Sequence, residues 1–199
     1  KRVKKSCNRL TKIGTLHGAG VPAERLIRAG PEKSWSYALA GFGLSKTSEK
    51  QIRTATAEAC GRPGAQSCPI ITIAITLGTE ADPLSIGASL AVEWWMHAWH
   101  HMGMKGPLRK AWHIIKGRLG GSPRWEQVAG PIATAIMYLH LLGWTAHGPD
   151  NWTDETNTRW TMTGSLEGTI KHSQVLGAVR RAAAAKLFTQ ASLHLGGQG

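Results

Sequence analysis

Phenyl rings are nearly absent from this chain: two Phe and two Tyr stand beside nine Trp in 199 residues. Aromatic packing therefore has to be built from indole. Acids are scarce as well, at 12 Asp and Glu against 24 Lys and Arg, a net charge of +12. Two-metal phosphoryl chemistry needs paired carboxylates on neighbouring strands, and no such pair is visible. The three cysteines, Cys7, Cys60 and Cys68, form no CxxC and no even-numbered framework. They read as reduced thiols of an intracellular protein, nuclear or cytoplasmic, with a Cys60–Cys68 disulfide as the alternative.

Long apolar runs are missing too. "PIITIAITLG" (69–78) and "IATAIMYLHLLGW" (132–144) fall short of the roughly 20 residues that span a bilayer, so no membrane partner is expected. No apolar segment follows the basic start, which excludes a secretory signal there. GxSxG, GxxxxGK[ST] and a GxGxxG between a strand and a helix are all absent. The chain opens on Lys1 rather than Met, and it reads as a piece of a longer polypeptide.

What is present is charge, unevenly placed. Residues 1–53 hold 12 Lys and Arg against 3 acids, whereas residues 54–99 hold 1 against 4. Residues 100–149 hold 6 against 1, and residues 150–199 hold 5 against 4. A basic front and a basic middle point to a polyanion, most simply nucleic acid. A merely soluble basic surface is the rival reading.

Helical periodicity dominates. In "RVKKSCNRLTKIGTLH" (2–17), Val3, Cys7, Leu10, Ile13 and Leu16 recur at intervals of four and three. Lys4, Lys5, Arg9 and Lys12 fall elsewhere on the wheel. Pro22 suits a helix start, and "EKSWSYALA" (32–40) predicts a further short helix, with Gly41 and Gly43 at its end. Ser45 or Ser48 can cap a helix closed by Gly61. "CPIITIAITLG" (68–78) is ambiguous between a β-branched strand and a short buried helix. Asp82 and Pro83 open a helix whose Ile86, Leu90, Trp94 and Ala98 lie four apart. "HGPDNWTDETNTRWTMTG" (147–164) is polar and framed by Trp152 and Trp160, as in a small hairpin or loop. A long Ala-rich helix follows. The sum is an all-α fold, an irregular multi-helix bundle with a small polar hairpin or loop insertion near 148–164.

"WWMHAWHHMGMKG" (94–106) invites two chemical readings. His97 and His101 are four apart and share a helical face, as two ligands of a borderline metal would. Ala98 stands where HExxH puts its Glu, and no third ligand is near, so a helix with ordinary histidines is the simpler reading. Trp94, Trp95 and Trp99, followed by Lys105, Arg109 and Lys110, also fit a base-stacking surface. A wide apolar face buried in the core explains the same tryptophans more simply.

The order of several motifs resembles a known family. "RLTKIGTL" (9–16) leads to "AGVPAERLIRAG" (19–30), then to "SYALAGFGLSKTSEKQIRTATAEACG" (36–61). "CPIITIAITLGTEADP" (68–83), a Trp-bearing helix and "GPIATAIMYLHLLGW" (130–144) follow. This is similar to the region just downstream of the palm in LINE-type (non-LTR) retrotransposon reverse transcriptases, the thumb and connection. "IRTATAEACG" (52–61) and "ADP" (81–83) are the nearest matches, and the resemblance favours helix for 68–78. The family's Tyr-Gly turn is replaced by Phe42-Gly43 or Tyr37-Ala38. The palm's paired aspartates lie outside such a region, so no catalytic residue carries over.

The resemblance implies an RNA–DNA duplex and the upstream palm domain as partners. It implies no cofactor in this region and Mg²⁺ in the parent polymerase. Lys1, Arg2, Lys4, Lys5, Arg9 and Lys12 become the expected phosphate contacts, with Lys46, Lys50 and Arg53 as a second set. Residues 1–64 would be a basic thumb-like region and 65–147 a connection-like helical region. Residues 148–199 would supply a polar loop and the long terminal helix. A free-standing helical nucleic-acid-binding or protein-interaction module and, further off, a His-based metal protein remain as alternatives.

Overall fold

A computed structural model describes residues 2–61, 68–101, 103–162 and 172–196. The chain is mostly helical. In order it forms α1 (Arg2–Gly18), α2 (Ala23–Ala29), α3 (Pro31–Ser36), α4 (Leu39–Phe42), α5 (Lys46–Ala59) and α6 (Pro69–Thr76). Then come α7 (Pro83–His101), α8 (Lys105–Leu119), α9 (Pro131–Leu141), the strands β1 (Thr145–Ala146), β2 (Asn151–Thr153) and β3 (Arg159–Thr161), and α10 (His172–Gly196). Short 3₁₀ turns sit at Thr79–Ala81 and Trp125–Gln127. Segment 68–78 is thus a helix, entered through Pro69 at its first position.

Contacts group the chain into two compact units. One comprises Lys1–Tyr37, Leu44–Ile86 and Ala184–Gly199; the other comprises Ala38–Gly43 and Gly87–Ala183. Within the first unit α6 packs on α5.

In the first unit α1 lies along α5. Ser6, Leu10 and Ile13 are the buried positions of α1. Leu10 and Ile13 join Ala23, Ile27, Ala57, Ala59, Ile73 and Leu77 in one apolar cluster. Gly14 faces α5, and a Cβ there would make ordinary contact with the Ala59 Cα at 3.4 Å. The buried seam therefore follows Ser6, Leu10, Ile13 and Gly14. Leu16, expected on it, is 48% exposed. The Ser45 side chain accepts the Ser48 N–H at 3.2 Å, which makes Ser45 the cap of α5. The helix expected over 32–40 divides into α3 and α4, because Ala38 turns left-handed at φ 68°.

In the second unit the buried face of α7 runs through Ala88, Ala91, Val92, Trp95, Met96 and Trp99. Of the expected stripe Ala98 is buried, but Ile86, Leu90 and Trp94 are only half-buried, so the seam is rotated by about one residue. Small residues explain the shift. A Cβ on Gly87 would lie 2.1 Å from the Tyr138 hydroxyl, so this face admits α9 only because Gly87 is bare. Tyr138 is buried and packs edge-on against Trp125. Gly87→Val should therefore lower stability by about 1–3 kcal/mol, the usual cost of overpacking. A urea midpoint unchanged from wild type would contradict this packing.

The expected polar insertion is a three-stranded antiparallel sheet ordered β1-β2-β3. Trp152 pairs with Trp160 across β2 and β3. Asp154 clasps the turn between them, accepting the N–H groups of Thr156 and Thr158 and the Trp160 indole N–H at 2.8–2.9 Å. Asn157 supplies the left-handed residue at φ 66°. Burial alone would raise the Asp154 pKa; the hydrogen bonds from Trp160, Thr156 and Thr158 outweigh it and hold the carboxyl below its ordinary value. The sign follows: the clasp is intact above the unfolded value of about 3.9 and is lost as pH falls through the lowered one. Near-UV circular dichroism of the indoles should persist to a lower pH than in Asp154→Asn. Identical acid midpoints would remove the clasp from the account.

Candidate nucleic-acid interface

The basic face belongs to α1. Arg2, Lys4, Lys5, Arg9 and Lys12 are all exposed. They spread over about 160° of the helix at roughly 100° per residue, opposite the buried seam. No acid occurs in α1 to neutralise them. Lys4, Lys5, Arg9 and Lys12 make no ion pair among the described residues. Arg2 has a local anchor: its guanidinium lies 4.5 Å over the Tyr37 ring and donates to the Tyr37 carbonyl at 3.4 Å. Tyr37 is 69% exposed, so this cation–π pair sits at the surface. Lys1 lies outside the described residues.

Beside this face runs a groove of about 620 Å³ between α1 and α5. Lys4 and Lys50 line it, together with polar Thr11, Thr47, Gln51 and Thr54. Lys46, one turn before Lys50, is also exposed. Glu58 also lines the groove as its acidic group. Hydroxyls and an amide between lysines can hydrogen-bond and attract phosphate oxygens, and they make no demand on base sequence. Cys7 lines the same groove, with its thiol directed to the Gln51 carbonyl. Burial pushes that thiol above its ordinary pKa and Glu58 adds to the effect, so it is a poor nucleophile. Cys7, Cys60 and Cys68 are all free thiols.

Arg53 does not belong to the interface. Its side chain is only 12% exposed, and Asp82 opposite is fully buried. Nε and one terminal nitrogen grip both Asp82 oxygens at 2.6 and 2.7 Å, and that terminal nitrogen also reaches Glu49 at 2.6 Å. Burial works against the guanidinium charge, but Asp82 and Glu49 outweigh it and raise the Arg53 pKa. Burial likewise raises that of Glu49, against the opposing pull of Arg53. With three of its five N–H donors committed to carboxylates and its side chain only 12% exposed, Arg53 leaves the expected contact set. Asp82 also accepts the Leu84 N–H at 2.9 Å, capping α7. The segments 52–61 and 81–83, singled out on sequence as separate motifs, are thereby one charge cluster.

Two of the three tryptophans of 94–106, Trp95 and Trp99, are core, and Trp94 is half-buried. Trp95 and Trp99 are fully buried. They start a run of rings, Trp99, Trp95, Trp112, Trp152, Trp144 and Trp160, with successive centroids 4.6–6.3 Å apart. Buried rings cannot stack on bases, and the Trp95 indole donates to the Pro149 carbonyl at 2.7 Å. His97 is exposed on α7, while the His100 ring lies 4.8 Å from that of His172. The His101 side chain is outside the described set. Among the described residues no three His, Cys, Asp or Glu groups gather as a metal site, and no helix is long and apolar enough to cross a membrane.

No family model matches the chain, and neither a curated protein nor a solved structure does so. The functional reading therefore rests on this geometry and on the sequence resemblance.

Proposed function

We propose that the first unit grips a nucleic-acid duplex through phosphate contacts, as the thumb and connection of a LINE-type reverse transcriptase would hold an RNA–DNA template-primer. The observation that carries this reading is the set of exposed cations on α1, of which Lys4, Lys5, Arg9 and Lys12 have no ion-pair partner among the described residues, flanked by the groove that Lys4 and Lys50 share. Arg2, Lys4, Lys5, Arg9 and Lys12 supply the first row of contacts, and Lys46 and Lys50 the second. From Lys4 to Lys12 the row covers about 12 Å of helix axis, long enough to meet several consecutive phosphates of one strand. In this role the chain performs no chemistry; Mg²⁺ and the catalytic carboxylates belong to the palm of the parent polymerase.

Fluorescence anisotropy with a labelled 20-base-pair RNA–DNA heteroduplex tests the proposal. Binding at low salt with equal affinity for a shuffled sequence is the expected result. Absence of binding at low salt would overturn it, and a preference above tenfold for one sequence would replace phosphate gripping by base readout.

A further inference from the structure

We infer that α8 carries a second nucleic-acid-binding face, in the other unit and independent of α1. The helix contains five Lys and Arg and no acid. Trp112 and Leu119 bury its inner face. Lys105, Arg109, Lys110 and Arg118 are exposed, and His113 stands among them. Lys116 is turned inward and donates to the Ala146 and His147 carbonyls.

Arg118, in the last turn, suits the helix dipole, but local stability does not explain Lys105, Arg109 and Lys110. Cations in the first turns oppose the helix dipole, and like charges four apart, at Lys105 and Arg109, repel. Two glycines on the same exposed side, Gly106 and Gly117, weaken the helix further. A Cβ on either would meet nothing within 4 Å, so packing does not require them. What a bare backbone among cations permits is close approach of another backbone. The face is also ordered in part: Lys105 Nζ and Arg109 Cζ lie 5.9 and 5.7 Å over the buried Trp99 ring, within cation–π range. Arg109 keeps a loose contact with Asp150 at 3.6 Å while 55% exposed. Ile114 is the sole large apolar side chain exposed on α8. A protein partner would be met by an apolar, aromatic-rich centre; a phosphate backbone needs charge and access. Charge complementarity therefore selects nucleic acid as the occupant.

The test uses the whole chain, the same heteroduplex and two charge-reversed variants. Lys105→Glu/Lys110→Glu should weaken binding and shallow the plot of log affinity against log salt by about 1.8, two phosphates at roughly 0.9 each. In a Lys4→Glu/Lys5→Glu/Arg9→Glu background the same pair should remove the residual binding. Near-UV circular dichroism of the indole cluster checks that each variant is folded, and Lys105→Gln/Lys110→Gln gives the milder form. If the α8 variants bind like wild type while the α1 variant loses all binding, the inference fails and the α1 reading stands. If the α8 variant loses binding and the α1 variant does not, the α1 reading fails and this one stands. Polyglutamate of matched charge competing as well as unlabelled heteroduplex would overturn the nucleic-acid assignment.

Discussion

Asp82→Ala should be the most damaging single substitution in the first unit, lowering stability by about 3–5 kcal/mol in urea unfolding. Removing one partner of a buried ion pair leaves the other charge dehydrated and unpaired, which costs about that much. Here Arg53, 12% exposed, would keep only Glu49. The same change strips the cap from α7, where Asp82 accepts the Leu84 N–H, at about a further 1 kcal/mol. A typical domain has about 5–15 kcal/mol in total, so the variant approaches the limit of folding. Asp82→Asn keeps a capping oxygen and should lose less. Arg53→Met/Asp82→Asn should fall short of the sum of its single changes, since the stranded charge is gone. A loss below about 1 kcal/mol for Asp82→Ala would mean that the pair behaves as a solvent-screened surface bridge.

The second large effect concerns binding. Lys4→Glu/Lys5→Glu/Arg9→Glu should weaken heteroduplex affinity by a hundredfold or more at 0.1 M salt. Each phosphate contact contributes about 0.9 log units per tenfold dilution of salt from 1 M, so three contacts set that scale. The loss should leave stability nearly unchanged, because all three side chains are exposed and lack ion-pair partners among the described residues. Arg180→Glu/Arg181→Glu/Lys186→Glu on α10 changes the net charge equally at exposed positions. It should cost far less than the α1 variant. Equal losses in both would mean that overall charge, not the α1 face, attracts the duplex.

Much of the helical framework is legible in the residues alone. Pro69, Pro83 and Pro131 open helices, and Ser45 and Asp82 cap them, because these residues satisfy or avoid the orphan donors of a first turn. The polar hairpin was visible in its turn residues and framing tryptophans. What escaped depends on distant partners. The α7 seam moved because Gly87 faces Tyr138, a neighbour 51 positions away that periodicity does not contain. Arg53 looks like its exposed neighbours Lys46 and Lys50; only the fold brings Asp82, 29 residues on, against it. The forked guanidinium four residues after Glu49 was the one available hint. Its planar fork matches carboxylate and phosphate alike, so the residue type did not decide between an ion pair and a phosphate contact. The exposed set on α1 was legible because a charged wheel opposite an apolar stripe needs no tertiary information.

The central claim is that α1 neutralises phosphates, and the salt dependence of heteroduplex binding measures this most directly. Affinity should be titrated between about 50 and 200 mM salt for the wild-type chain and for the Lys4→Glu/Lys5→Glu/Arg9→Glu variant. A linear wild-type plot whose slope flattens by about 2.7 in the variant, three contacts at roughly 0.9 each, is the predicted result. Parallel plots for the two proteins, or a wild-type slope near zero, would contradict it.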